Sequence, residues 1–307
     1  MKIAVLGSGM VGSTIALDLA QSFSITAFDA SAANLKTLQQ RNAAIQTRQV
    51  DLKDYTAYKE WLRDFDLVVT AVPGFMGFDT LKTVISCGKN AVDISFFPED
   101  ALLLHTLAVQ QQVTVLTDMG VAPGIPNFFI GRYNEEMEVS NFEFYVGGLP
   151  KIRTKPFEYK APFSPIDVVE EYTRPARLKA QGQVISKPAL TDRKLMEFEG
   201  IGTLEAFNTD GLRSILLTMP HIPNMKEQTL RYPGHVDLII ALKEAGFLSK
   251  EPVTINGCSI SPLQFNSGIL FKNWKLGAEE EELTVLRIII EGLEKGMPVR
   301  KEFSRLK

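Results

Sequence analysis

The sequence predicts an α/β fold: a doubly wound parallel sheet followed by a second, α+β region. Three observations carry that reading. From residue 2 to residue 118, short β-branched runs alternate with longer segments of helical period, the pattern of βαβ units around a parallel sheet. A glycine-rich turn follows the first run and opens a helix. After Asp118 the alternation stops and glycine, proline and aromatic residues become denser. A chain of 307 residues is long for one core and comfortable for two, so a boundary near residues 118 to 124 is expected, giving domains 1–120 and 121–307.

In the first region the expected strands are Lys2–Leu6, Ile25–Phe28, Ile45–Val50, Leu67–Ala71, Ala91–Ile94 and Thr114–Leu116. Helices are expected over Met10–Ala20, Ala32–Arg41, Tyr55–Arg63, Gly77–Cys87 and Pro98–Gln111, with Ser31 and Asp54 as N-caps and Gly88 just past a helix end. The second region opens at Ala122-Pro123-Gly124 and is expected to form a helix over Pro126–Met137. Strands are expected at Phe142–Val146, Leu204–Phe207 and Thr229–Tyr232, with helices near Pro165–Tyr172 and Val236–Ala245. An antiparallel sheet with helices on one face is the arrangement this suggests.

Gly7-Ser8-Gly9-Met10-Val11-Gly12 is a G-x-G-x-x-G turn between a strand and a helix. Gly7 permits the tight turn, Gly9 lets a pyrophosphate approach the backbone, and Gly12 lets the helix pack on the sheet. The amides and dipole of that helix favour phosphate. Asp29 ends the second strand, where a carboxylate accepts hydrogen bonds from ribose hydroxyls and repels a 2′-phosphate. Together these predict a Rossmann domain that holds NAD rather than NADP; the alternative is that Asp29 only caps the next helix with Ser31. Val72 and Pro73 lie at the carboxyl end of the fourth strand, and Asp93 and Ser95 at that of the fifth, on the edge where such sheets bind ligands. Asp93 and Ser95 have a competing reading as a solvated turn before Pro98. Asp51, after the third strand, is a candidate for the adenine side or a surface acid.

Hydrophobic residues make up 45% and charged residues 22%, with a net charge of -3, so neither nucleic acid nor an acidic membrane is an expected partner. Two distant cysteines, Cys87 and Cys258, argue against a disulfide framework or a zinc site, and no metal is expected. No leader or membrane span is read from the sequence, and a cytoplasmic location is expected.

In the second region polar and aromatic groups bunch at Glu170-Glu171-Tyr172-Thr173-Arg174, at Asn208-Thr209-Asp210-Gly211-Leu212-Arg213, and at Leu230-Arg231-Tyr232-Pro233-Gly234-His235. They offer the cation and the acids that an amino-acid substrate needs, although each taken alone is more often a solvated charge or a surface ion pair.

These segments resemble the saccharopine dehydrogenase superfamily, most closely its stand-alone NAD-dependent L-lysine 6-dehydrogenases. Further matching stretches are Ala71-Val72-Pro73-Gly74-Phe75, Val92-Asp93-Ile94-Ser95-Phe96, Val121-Ala122-Pro123-Gly124, Tyr145-Val146-Gly147-Gly148-Leu149-Pro150, Ser164-Pro165, Pro175-Ala176 and Ser214 after Arg213. The resemblance implies oxidation of the ε-carbon–nitrogen bond of lysine, with hydride passing to the nicotinamide. Such chemistry needs a proton acceptor, for which Asp118, Glu171 and His235 are candidates, and a carboxylate anchor, for which Arg213 is first and Arg231 second. Asp210 is a candidate for the α-ammonium and Tyr172 for closing the pocket. Relatives of this type usually continue with helices that return to the Rossmann domain, so a homodimer or larger homo-oligomer is expected to cover the surface otherwise left bare. Two other functions compete: a saccharopine dehydrogenase or reductase, needing extra cations for two more carboxylates, and a non-catalytic NAD(H)-binding sensor or assembly protein.

Overall fold

The computed structural model describes residues 1–161, 165–277 and 279–306, and the side chains of residues 165 and 166 are not described. Ser164 of the resemblance lies outside the described residues. The chain divides into two compact units, Met1–Gly124 and one that begins at Ile125.

The first unit runs β1 (Lys2–Leu6), α1 (Met10–Leu19), β2 (Ser24–Asp29), α2 (Ala32–Arg41), β3 (Gln46–Gln49), α3 (Tyr58–Trp61), β4 (Leu67–Thr70), α4 (Gly74–Ser86), β5 (Asn90–Asp93), α5 (His105–Gln111) and β6 (Val115–Leu116). Among the described residues its sheet has six strands in the order β3-β2-β1-β4-β5-β6, all parallel. Alternation along β1 sends Ala4 and Leu6 to one face and Ile3 and Val5 to the other. The first face packs on Tyr58, Leu81, Val84 and Leu104, the second on Ala16, Leu35 and Leu38, so helices bury both sides.

Local chemistry explains the boundaries. Ser31 caps α2 by accepting the Asn34 amide, as expected. Gly88 follows α4 at φ +67 and its amide reaches back to the Ile85 carbonyl, also as expected. Asp54 is corrected: its carboxylate accepts from the Thr56 hydroxyl, and α3 starts only at Tyr58 behind Ala57. The expected helix over Pro98–Gln111 is also shorter, because Asp100 caps a single 3₁₀ turn, Ala101–Leu104, before α5 begins.

The second unit contains α6 (Ile125–Glu136), β7 (Glu138–Pro150), α7 (Pro165–Thr173), β8 (Ala176–Ala180), β9 (Gln183–Lys187), β10 (Lys194–Phe198), β11 (Gly202–Asn208), α8 (Ile215–Thr218), β12 (Asn224–Arg231), α9 (His235–Glu244), β13 (Val253–Ile255), β14 (Cys258–Ile260), α10 (Pro262–Trp274), β15 (Glu282–Glu294) and β16 (Met297–Leu306). Among the described residues, its main sheet has eight strands on the path β10-β11-β12-β7-β15-β16, with β8 joined to β12 and β9 to β8. The expectation of a wholly antiparallel sheet is corrected, because β12 runs parallel to β7 from Asn224↔Asn141 to Thr229↔Val146. Helices α7, α9 and α10 cover one face, where Val168, Val169, Val236, Ile239, Leu270 and Trp274 pack on Phe207. Burying each such side chain contributes roughly 1.5–3 kcal/mol.

Candidate functional site

In the first unit the glycine turn is shaped by close backbone contacts. Gly7 has φ +99, and a Cβ there would come within 2.4 Å of the Ala71 carbonyl oxygen at the end of β4. A Cβ on Gly12 would lie 2.1 Å from the Gly7 carbonyl oxygen. Gly9 differs, since a Cβ there would meet nothing within 4 Å. Gly9 is also the N-cap of α1 and brings no side-chain cap, and the first turn, which starts with the exposed Met10 and Val11, carries no acid. The Ser8 hydroxyl is buried without a hydrogen-bond partner.

Asp29 stands beside this turn. Its Oδ2 accepts the Ser8 amide at 2.6 Å and its Oδ1 accepts the Ser31 amide at 2.7 Å. Each oxygen keeps a second lone pair for a ribose hydroxyl. Open space at Gly9, uncapped helix amides, an orphaned Ser8 hydroxyl and a fixed carboxylate fit the pyrophosphate and ribose of a dinucleotide.

The neighbouring strand ends carry the other expected residues. Val72 is buried, and Pro73 is the N-cap of α4. Asp93 is fully buried and accepts from the Thr70 hydroxyl at 2.5 Å, so it belongs to the sheet interior rather than to a solvated turn. Ser95 is buried with an unpartnered hydroxyl, and a Cβ on Gly77 would come 2.7 Å from its Cβ. Asp118 is buried at φ +57, and the Met119 amide next to it donates to the Asp93 carbonyl at 3.1 Å. Asp51 accepts the Lys53 amide at 3.0 Å in its own loop.

In the second unit the structure brings Glu171, Tyr172, Arg231 and His235 together. Arg231 is almost fully buried; its Nε donates to the Tyr172 hydroxyl at 3.1 Å and its Nη2 to Glu171 at 2.9 Å. Its guanidinium also lies 4.4 Å from the centre of the Tyr159 ring, a cation–π contact. His235 Nε2 lies 2.9 Å from the Tyr172 hydroxyl and Nδ1 lies 2.9 Å from the Phe157 carbonyl. A carbonyl only accepts, so Nδ1 carries the proton and Nε2 accepts from Tyr172. Burial, reinforced by Arg231, pushes the His235 pKa down to about 3. Burial raises the Glu171 carboxyl above its usual range against the pull of Arg231.

Asp210 and Arg213 belong to a second cluster. Asp210 accepts the Arg177 amide at 3.0 Å, its Nε at 2.9 Å and its Nη2 at 2.8 Å, a bidentate pair completed by the backbone. Arg213 is buried at φ +46. Burial depresses the Arg174 pKa; Glu170 and Asp210 oppose this and the charges of Arg213 and Arg177 add to it. Arg174 therefore feels the charges of Asp210, Arg177 and Arg213 together. Arg177 and Glu227 were not singled out from the sequence. Glu227 is buried on β12, where alternation with Met225, Thr229 and Arg231 is the signal that could have marked its inward side chain.

Among the described residues no group of three or more His, Cys, Asp or Glu could hold a metal, and no helix is long and apolar enough to cross a membrane.

Comparisons with known proteins agree with this division. The saccharopine dehydrogenase NADP binding domain model matches residues 3–116, and the saccharopine dehydrogenase C-terminal domain model matches residues 120–306. The chain is 25% identical over 265 residues to saccharopine dehydrogenase [NADP(+), L-glutamate-forming] of Pyricularia oryzae, covering 81% of this chain and 58% of that one. It is 23% identical over 284 residues to the protein of the same name from Saccharomyces cerevisiae, covering 87% and 62%. Alpha-aminoadipic semialdehyde synthase of Arabidopsis thaliana is 24% identical over 222 residues, 67% of this chain and 21% of that protein. The chain thus spans between about a fifth and three fifths of the length of these curated relatives. The fold is shared with the apo saccharopine dehydrogenase (L-Glu forming) from Saccharomyces cerevisiae at a TM-score of 0.77 and 18% identity, covering all of this chain and 85% of that one. With models matching both of its parts, the chain belongs to the saccharopine dehydrogenase family.

Proposed function

We propose that this protein is a pyridine-nucleotide-dependent dehydrogenase that oxidises a carbon–nitrogen bond of an amino acid. The observation that carries this reading is the Arg177–Asp210 pair, whose charges act on the buried Arg174 together with that of Arg213, in a chain whose other unit holds an open glycine turn. Guanidiniums match carboxylates bidentately, so this cluster suits a substrate with carboxylate groups. Arg213 is the proposed anchor, and Asp210 orders Arg177 beside it.

The nucleotide is proposed to be NAD, held by residues 7 to 12 with Asp29 on the ribose; a 2′-phosphate would meet the Asp29 charge. When bound, the nicotinamide supplies the hydride acceptor. The chain's own part is to hold the substrate and take a proton from its nitrogen. Asp118 and Glu171 are the proposed acceptors. His235 is a weaker choice, since both ring nitrogens are engaged within the unit.

Lysine, oxidised at its ε-amine, is the substrate that the sequence resemblance implies. Saccharopine is the second reading, favoured by the charges of Arg177 and Arg213 acting on Arg174 and by the names of the relatives. Nicotinamide reduction with lysine, saccharopine and a panel of amino acids, each with NAD and NADP, separates the two. Reduction with lysine alone supports the first reading and with saccharopine alone the second. Tight nucleotide binding without turnover of any amine overturns both in favour of a non-catalytic nucleotide-binding protein. Arg213→Ala is expected to raise substrate KM at least tenfold, and an unaltered KM removes Arg213 from the anchoring role.

A further inference from the structure

Glu227, on β12, is bonded to the turn that follows β11. Its carboxyl oxygens lie 2.9 and 2.7 Å from the Thr209 hydroxyl, and Oε2 also accepts the Gly211 amide at 3.0 Å. The Thr209 hydroxyl in turn stands 2.7 Å from that of Thr229, so the three side chains form one buried row. Gly211 fits because it lacks a side chain: a Cβ would come 2.7 Å from the Glu227 carboxyl carbon. Glu227 therefore holds residues 209 and 211 together. Asp210, between them, is the residue that grips Arg177, and Arg213 follows three positions after it in left-handed backbone.

We propose that Glu227 is a positioning residue for the candidate substrate loop, clamping Thr209 and Gly211 so that Asp210 and Arg213 are presented in one fixed arrangement. The inference rests on the reading of Arg213 as the substrate anchor, with Asp210 ordering Arg177. The clamp exists in two protonation forms. Protonated, the acid donates to Thr209, whose own hydroxyl turns to Thr229. Ionised, it accepts from Thr209, and Thr229 donates to Thr209. Gly211 donates in both.

Burial raises the Glu227 pKa to about 8; Thr209 and the Gly211 amide oppose the rise, while Glu171 on α7 and Asp210 in the turn add to it. Each of those acids is bound to an arginine, Arg231 on β12 and Arg177 on β8. At neutral pH the protonated form prevails, and above about pH 8 a third negative charge enters beside Glu171 and Asp210.

Two variants test this in the full chain. In Glu227→Gln the amide nitrogen donates to Thr209 and the carbonyl accepts from Gly211, copying the protonated form without ionising. Glu227→Leu keeps a side chain but loses the clamp. The expected result is that Glu227→Leu raises substrate KM at least tenfold while nucleotide Kd stays within twofold. Glu227→Gln is expected to recover that loss at pH 7 and to hold KM flat to pH 9, where the wild type weakens. Hydrogen exchange of the 208–214 peptide reads the clamp without turnover: it is expected to speed up at least tenfold in Glu227→Leu and not in Glu227→Gln. Unchanged exchange in Glu227→Leu overturns the clamp itself. Faster exchange with unchanged KM overturns only its link to the substrate. Should Glu227→Leu not fold, Thr209→Val takes its place, and an equal KM in that variant and the wild type overturns the proposal.

Discussion

The Tyr172 hydroxyl stands 2.9 Å from Nε2 of His235, the middle link of a row whose proton directions are set by its ends, the Arg231 guanidinium that only donates and the Phe157 carbonyl that only accepts. Arg231 donates to Tyr172, Tyr172 to His235, and His235 to the Phe157 carbonyl. Tyr172→Phe leaves Nε2 of His235 and Nε of Arg231 buried without their partner. A loss of about 1–3 kcal/mol is expected, read as a lower midpoint in denaturant. A midpoint equal to wild type would show that water replaces the hydroxyl.

Acid should weaken the second unit through His235. Its pKa is held near 3 in the folded protein and returns to its ordinary value near 6.5 on unfolding, so the unfolded chain binds the extra proton between those limits. The stability that rests on neutral His235 is complete above about pH 6.5 and is lost as pH falls toward 3. His235→Gln is expected to flatten this acid limb in thermal unfolding. A limb as steep as in wild type would assign it to other groups.

Removing the charge of Arg231 exposes the cost of burying Glu171. Arg231→Met keeps the volume and strands the carboxylate, for an expected loss of about 3–5 kcal/mol by chemical denaturation. Replacing both, Arg231→Met with Glu171→Leu, is expected to recover most of it. Without that recovery, the packing of the guanidinium on Tyr159 rather than the ion pair carries the loss.

The glycine turn offers a separation of binding from folding. Gly9→Ala adds a methyl to open space, so stability is expected to change by no more than about 0.5 kcal/mol while nucleotide affinity falls at least tenfold. Gly12→Ala drives a methyl onto the Gly7 carbonyl and is expected to lower both. Calorimetric titration with parallel thermal melts checks the pair; full nucleotide affinity in Gly9→Ala would move the phosphates elsewhere.

Asp29→Ser removes the carboxylate beside Ser8. The NADP-to-NAD affinity ratio is expected to rise at least tenfold, measured by nucleotide fluorescence. An unchanged ratio would leave Asp29 with only its bonds to the Ser8 and Ser31 amides.

The first unit was legible because its signals are local. A β-branched run, a glycine turn and an amphipathic segment each lie within a few residues, and β1 and α2 fall on their expected limits. Asp54 misled because a loop acid and an N-cap acid have the same neighbours in sequence; only the Thr56 bond separates them. The second unit depends on distant pairing. β7 extends past the expected Phe142–Val146 in both directions and runs through Gly147-Gly148, a pair that lacks the side chains of a strand pattern. Gly147 is needed there, since a Cβ would lie 2.9 Å from the Leu230 carbonyl oxygen of the neighbouring β12. The Glu171, Tyr172, Arg231 and His235 group was partly legible as bunched polar residues. Glu227 was not, because its role depends on Thr209 and Gly211 across the sheet.

The placement of β15 also governs when each unit can form during synthesis. β15 lies between β7 and β16, pairing from Glu282↔Pro150 to Leu293↔Glu138, partners more than a hundred residues apart. The parallel sheet of the first unit joins strands that leave the ribosome in close succession and can close early. β7 must wait, with one long edge bare, until Glu282–Glu294 has emerged, and loop closure over that distance is slow. That interval is when the nascent protein is open to mispairing and to aggregation.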